Sequence, residues 1–215
     1  MSHVLVVGGF DPVFPRNRQI LDLLDRAGHV VDARPVPMWG ASLPEAASSR
    51  GAGLAANAAL GLIRVAVETL RASRPDVVLL LHPSQFDALV VRPIAALRRL
   101  PVLVDLFISL QDTVVEDRRL VARGSLLGWL TGALDRFAAR GATRILTDTP
   151  QHADALAKMT GTPRDRFRRP AGRSRRPALP SCPLPRRPDG SGPLLRHLHP
   201  AARHRDDRAR RCAAP

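Results

Sequence analysis

Up to Phe167 the chain alternates short apolar runs, VLVVG, DVVLLL, PVLVDLF and RILTDT, with amphipathic stretches. Continuous runs rich in Val and Leu predict strands buried on both faces, and apolar residues at helical spacing between them predict helices. His3–Val7 reads as a strand that ends at Gly8 and Gly9, where missing side chains permit a tight turn or close approach of a ligand. After the loop FDPVFPRN, the segment RQILDLLDRAG sets Ile20, Leu23, Leu24 and Ala27 on one helical face and stops at Gly28. HVVDARPV resumes as a strand. A Gly/Ala/Ser-rich loop from Trp39 to Gly53 leads into a long helix over 54–73, and Pro75 separates that helix from a strand over 76–81. A helix over 87–99, a strand over 101–106 and a helical region over 116–140 with a break at Gly124 follow. A strand over 143–147 and a helix over 150–159 complete the series. This order predicts an α/β fold, a Rossmann-like parallel sheet with helices on both faces, ending near Phe167.

Beyond Phe167 the periodicity disappears. Residues 168–215 are rich in Arg and Pro, show no apolar period, and are expected to be disordered. The formal charge of +14 for 215 residues resembles a nucleic-acid signature until it is divided at this point. The tail holds thirteen Arg against three Asp, so the body is only mildly basic. Both cysteines, Cys182 and Cys212, also lie in the tail, which leaves the body without a staple or a thiolate metal site and points to a reducing compartment. The N-terminus lacks the basic and small-residue features of a secretory signal. The most apolar helix, LAANAALGLIRVAVETL, is interrupted by Asn57 and Arg64 and is too short to span a bilayer.

Sheets of this kind bind ligands at the carboxyl ends of their strands, and the chemistry-bearing residues collect there. GGFDPVFPRN lacks the spacing of a dinucleotide fingerprint, but it brings Asp11, Arg16 and Asn17 around two stiffening prolines, with Arg16 able to pair with phosphate. LHPSQFD puts His82 directly after a strand, where imidazole meets either a sugar hydroxyl or a loop carbonyl. VDLFISLQDTVVEDRR adds Asp105, Ser109, Asp112, Thr113, Glu116, Asp117 and Arg118. Helix capping accounts for Asp112 or Thr113 with Glu116 but not for Asp105 at the strand end. The strand over 143–147 is followed by Thr147–Thr149. In GSLLGWLTGALDRFAARG, the large residues Leu126, Leu127, Trp129, Leu130, Leu134 and Phe137 are expected to pack in the core, with a membrane-surface face as the alternative. No Ser/His/Asp triad, Walker loop or metal-spaced cluster is present in the sequence.

GGFDPVFPRNRQIL, DLFISLQDTVVEDRRLVARGSL and RILTDTPQHADALAKMTGTPRDRF, in this order, resemble the retaining, nucleotide-sugar-dependent glycosyltransferases of group 1 type with a GT-B fold. The similarity covers about Val4 to Phe167 and corresponds to their N-terminal, acceptor-side domain. The resemblance implies a second Rossmann-like domain that supplies most donor contacts, including a paired-glutamate motif, and no such domain follows in this reading frame. Arg- and Pro-rich sequence is what GC-rich coding DNA yields when misread, and the body's use of Arg with almost no Lys fits such DNA. With synonymous codons chosen freely, LRHLHPAARHRDDR read one base forward spells YGTFIPLHGIETI, which resembles the opening strand and glycine loop of the family's second domain. Leu179–Pro183 shifts to FRPAP, and Arg168–Ser174 can shift to VVP-x-VGA. The tail is therefore expected to be out-of-frame translation, and the chain as written is expected to be inactive.

The resemblance implies transfer of a sugar from a nucleotide-sugar donor, bound as substrate with no cofactor, to a hydroxyl of a glycan, lipid or small-molecule acceptor. It places Gly8, Gly9, Phe10, Asp11, Arg16 and Asn17 in a loop under the donor diphosphate and acceptor, His82 and Asp105 on the acceptor side, and Asp112, Glu116 and Arg118 along the cleft. The expected location is the cytoplasm, with contact to the inner face of a membrane allowed. The competing reading is a one-domain α/β binding module whose basic arm recruits nucleic acid or anionic lipid; the arm lacks the aromatic residues that stack on bases.

Overall fold

The computed structural model describes residues 1–37, 51–118, 120–122 and 124–170, without the side chains of 51–55. The expected α/β architecture is the observed one: a six-stranded, wholly parallel sheet in the order β2-β1-β3-β4-β5-β6. Its strands are β1 (His3–Gly8), β2 (Val30–Pro35), β3 (Val77–Leu80), β4 (Val102–Asp105), β5 (Arg144–Leu146) and β6 (Phe167–Arg168). The helices are α1 (Pro15–Arg26), α2 (Gly51–Arg71), α3 (Asp87–Leu97), α4 (Leu126–Gly141) and α5 (Pro150–Thr160).

Strand order dictates which face each helix covers. The chain steps one way from β1 to β2 and the other way from β3 through β6, so right-handed crossovers send α1 to one face and the remaining helices to the other. Side-chain alternation along β1 shows this division. Val4 and Val6 pack with Ile20 of α1, whereas Leu5 and Val7 join Val65, Val91, Ala138 and Leu156 of the other four helices. The strand order reverses between β1 and β3, and the crevice at that reversal is where such folds place ligands.

Three local features differ from the sequence reading. Helix α1 begins at Pro15, which takes its first position because a missing N–H costs nothing there; Arg16 and Asn17 therefore lie in its first turn, not in the preceding loop. The predicted helical region over 116–140 divides into a π-helical turn, Asp112–Asp117, and α4, separated by Gly124 at φ 81°. The Ser125 side chain caps α4 by accepting from the Gly128 N–H. Order also extends past Phe167, since Arg168 pairs with Leu146 in β6. The predicted loop at Trp39–Gly53 and the predicted disordered tail fall, over residues 38–50 and from 171 onward, outside the described residues.

Helix α4 reverses one expectation. Its buried face consists of Gly128, Thr131, Gly132, Asp135, Ala138 and Ala139, small residues that allow close approach to the layer beneath. Five of the six large residues expected in the core face outward: Leu126 is 74 % exposed, Trp129 60 % and Leu127 52 %, Leu130 and Phe137 are also exposed, and Leu134 is half-buried. No helix among the described residues is long and apolar enough to cross a membrane.

Candidate functional site

At the carboxyl ends of β1, β3, β4 and β5 the chain gathers a polar cluster over a buried floor. Arg16, one turn into α1, extends across the crevice to Asp105 at the end of β4. Its Nε donates to Asp105 Oδ2 at 2.7 Å and its Nη2 to Oδ1 at 2.6 Å, a bidentate pair. Its Nη1 donates to Asp148, just beyond β5, and its Cζ lies 4.5 Å from the centre of the Phe107 ring. Asp105 is fully buried, and Asp148 is 37 % exposed at its side chain. Burial raises the Asp105 pKa, with Arg16 opposing it. Burial alone would lower the Arg16 pKa, but its bonds to Asp105 and Asp148 outweigh that cost and raise it, so the guanidinium stays charged.

His82 stands beside this pair. Its ring lies 5.7 Å from Phe14 and, edge-on, 5.8 Å from Phe107. Burial first, and the Arg16 charge second, lower its pKa, so the imidazole is neutral at pH 7. Its Nδ1 is buried without a hydrogen-bond partner. Asn17, wholly buried in the first turn of α1, donates through Nδ2 to the carbonyls of Asp11 and His82, both at 2.9 Å. Those two bonds fix the amide orientation and leave Oδ1 unpaired. Asn17 Oδ1 and His82 Nδ1 are thus two buried polar atoms without a partner within the protein.

The glycine loop is built differently from its expected role. The Gly9 N–H, expected to face a phosphate, donates to the buried Asp87 carboxylate at 3.0 and 3.1 Å. Gly8 takes φ 142°, and a Cβ there would lie 2.2 Å from Asp87 Oδ2. Glycine is thus required by both conformation and space. Asp87, at the start of α3, is completely buried, and desolvation pushes its pKa up to about 8 against the pull of the Gly9 bond.

The other candidates separate by role. Phe10 is 3 % exposed and packs with Val4, Val6 and Ile20, which makes it a core residue. Asp11 shapes the loop by accepting from the Val13 N–H at 2.8 Å. Asp112 and Arg118 are exposed on and just after the π-helical turn. Glu116 lines a cleft of about 430 Å³ together with Gln111, Val115, Gly124, Gly128 and Trp129. The approach to this cleft is held by Asp135, which accepts from the N–H groups of Leu110 and Gln111, from the Ser109 hydroxyl and from Gln85. Sequence reasoning reached Asp148 only within the segment Thr147–Thr149 and selected neither Asp87 nor Asp135. Asp148 follows a strand end and carried a usable positional signal; Asp87 and Asp135 read as ordinary helix residues.

No group of His, Cys, Asp and Glu among the described residues has the arrangement of a metal site. A Rossmann-like parallel sheet with its polar cluster at the switch point is the class of domain that binds ligands in that crevice. The profile of the glycosyl transferase 4-like domain matches residues 4–172, and the chain belongs to that family. A search of curated proteins finds no match.

Proposed function

We propose that the chain is the acceptor-side half of a retaining, nucleotide-sugar-dependent glycosyltransferase of group 1 type. Residues from 168 onward are then the start of its donor-binding half read one base out of frame. Family membership supports glycosyl transfer in general. The observation that carries the acceptor-side assignment is the charge state of the crevice. Arg16 is already matched by Asp105 and Asp148, and Gly9 by Asp87, so the crevice favours neutral hydroxyl groups over a diphosphate.

On this reading the acceptor lies against His82 and the outer oxygen of Asp148, with Asp105 holding Arg16 in place. Asn17 and the loop after Gly9 set the shape of the floor. The anomeric carbon of the donor sugar exchanges its bond to the diphosphate oxygen for one to the acceptor hydroxyl, on the same face of the ring. The hydroxyl proton leaves with the diphosphate. The second domain contributes the donor contacts, so the chain as written turns over little or no nucleotide sugar, and its place of action is the cytoplasm.

The test compares the chain as written with the product of a gene shifted by one base after the codon for Phe167. Nucleoside diphosphate release from a panel of nucleotide sugars, with and without glycan and lipid acceptors, is expected only from the shifted product. Equal release from both chains would overturn the frame assignment, and an anomerically inverted product by NMR would overturn retention. A binding module with a basic arm would instead give no release from either chain and salt-sensitive nucleic-acid binding that depends on residues 168–215.

A further inference from the structure

The cleft between the π-helical turn and the start of α4 shares no residue with the Arg16, Asp105 and Asp148 cluster, and its lining has a chemistry of its own. Gln111, Val115, Glu116, Gly124, Gly128 and Trp129 enclose about 430 Å³, a volume typical of small-ligand sites. Two of the six are glycines. At Gly124, φ is 81° and nothing lies within 4 Å of where a Cβ would stand, so the chain opens the cleft there. Gly128 packs closely on Val115, where a Cβ would come within 3.2 Å of Cγ2. Trp129 is 60 % exposed.

Gln111 is held in place for a role that no contact within the domain fills. Its N–H donates to Asp135 at 2.9 Å, and its side chain lies on the bare backbone of Gly132, where a Cβ would collide with Oε1. Among the described residues no hydrogen-bond partner meets its half-buried amide. Charge around the cleft is mixed. Asp112, Glu116 and Asp117 are exposed on the turn, Arg118, Arg119 and Arg123 follow in sequence, and Arg136 lies on α4. Neither an anion nor a cation is favoured by such a field.

What the lining can meet is a neutral ring with hydroxyl groups at its edge. A pyranose has an apolar C–H face, which an exposed indole removes from water by stacking. Its hydroxyls both donate and accept, and a glutamine amide offers two donors and an acceptor beside the acceptors of a carboxylate. A purely apolar segment would leave the amide unmet.

We propose that this cleft is a saccharide subsite, in which a neutral pyranose stacks on Trp129 and hydrogen-bonds to Gln111 and Glu116. Gln111 follows Asp105 by six residues, so the chain between the crevice floor and the cleft spans at most about 20 Å. Both lie at the carboxyl edge of the sheet, since the turn follows β4 and α4 begins there. Resting on the acceptor-side reading, the subsite makes the acceptor a glycan of at least two sugar units, with the reacting unit in the crevice and a remoter one against Trp129.

The experiment titrates the full chain as written with methyl glycosides of glucose, mannose, galactose and N-acetylglucosamine, and with maltose, cellobiose, lactose and chitobiose. Heteronuclear NMR follows the Trp129 indole N–H and the Gln111 and Gly128 amides. At least one sugar is expected to shift these signals saturably. Trp129→Ala, an exposed substitution, is expected to weaken that binding by about tenfold or more, and Gln111→Ala by about threefold or more, with circular dichroism unchanged in both. Silence of these signals toward every sugar, or equal affinity of the native chain and Trp129→Ala, would overturn the subsite. So would a dimer that Trp129→Ala converts to monomer, since the cleft would then belong to a second copy. Sugar binding needs neither the donor domain nor turnover. Binding here without nucleoside diphosphate release from the frame-restored enzyme would support the subsite and overturn the transferase reading, and release without binding would do the reverse.

Discussion

Arg16 and Asp105 form a bidentate pair that ties the first turn of α1 to the end of β4, with Asp105 wholly buried and Arg16 13 % exposed. The two side chains come from opposite sides of the strand-order reversal, so the pair closes the crevice floor. Removing one partner leaves the other charge buried without its match. Asp105→Ala is expected to cost on the order of 3–5 kcal/mol, and Arg16→Ala a similar amount. Urea unfolding monitored by circular dichroism measures both. A loss below about 1 kcal/mol for Asp105→Ala would mean that water or Asp148 takes over the guanidinium.

Asp148 binds the same guanidinium but is 37 % exposed. Its contribution to stability is screened by solvent, and Asp148→Asn is expected to change stability by less than about 1 kcal/mol. Acceptor affinity of the frame-restored enzyme is expected to fall in the same variant, because its outer oxygen is the one open to a hydroxyl. Unfolding and acceptor titration, run side by side, separate the two roles.

Strands β1, β3 and β4 were legible because each is a compact apolar run, whereas β6, the two residues Phe167–Arg168, has no such run and was not predicted. VLVV, VVLL and VLVD coincide with β1, β3 and β4 to within about a residue at each end, and parallel pairing followed from helices between them. Within the candidate cluster, His82 and Asp105 were legible from position, at or just after a strand end, whereas Arg16 was read in the loop after β1 and lies in the first turn of α1. Asp87 and Asp135 escaped because their environments are made by distant segments. Asp87 is buried by the loop after β1, and Asp135 is occupied by the chain after β4, contacts that no local pattern encodes. The inward and outward faces of α4 were misjudged for a related reason. Size and hydrophobicity favoured Leu and Trp for the core, while close helix packing selected Gly and Ala.

Asp135 gathers four donors from two segments: the backbone N–H groups of Leu110 and Gln111 with the Ser109 hydroxyl, and the Gln85 amide. Burial raises its pKa and those four bonds oppose the rise. Asp135→Ala leaves several buried donors unmatched and is expected to destabilise by about 3 kcal/mol or more. Local opening is the sharper readout: amide exchange at Leu110 and Gln111 is expected to accelerate more than exchange in β1. Uniform acceleration across the sheet would show that the carboxylate supports the whole domain and not this turn.

Asp87 gives the fold a pH dependence with a definite sign. Its carboxyl titrates near 3.8 when solvated and at about 8 in the folded chain, because desolvation outweighs the single bond from Gly9. Below the lower value both states carry the proton. Between the two values the unfolded chain releases the proton and the folded chain keeps it, so the unfolded state binds fewer protons and stability falls as pH rises. Above about pH 8 both states are ionised and the loss levels off. Asp87→Asn keeps an oxygen to accept from the Gly9 N–H but removes the titration. The advantage of the variant over the native chain is expected to grow steadily as pH rises from about 5 to about 8, by an amount on the order of a few kcal/mol, and then to level off. Thermal melts across pH 5–9 measure the difference directly. Parallel profiles for the two proteins would place the Asp87 pKa at its solvated value and require a cation or water close to the carboxylate beneath Gly8 and Gly9.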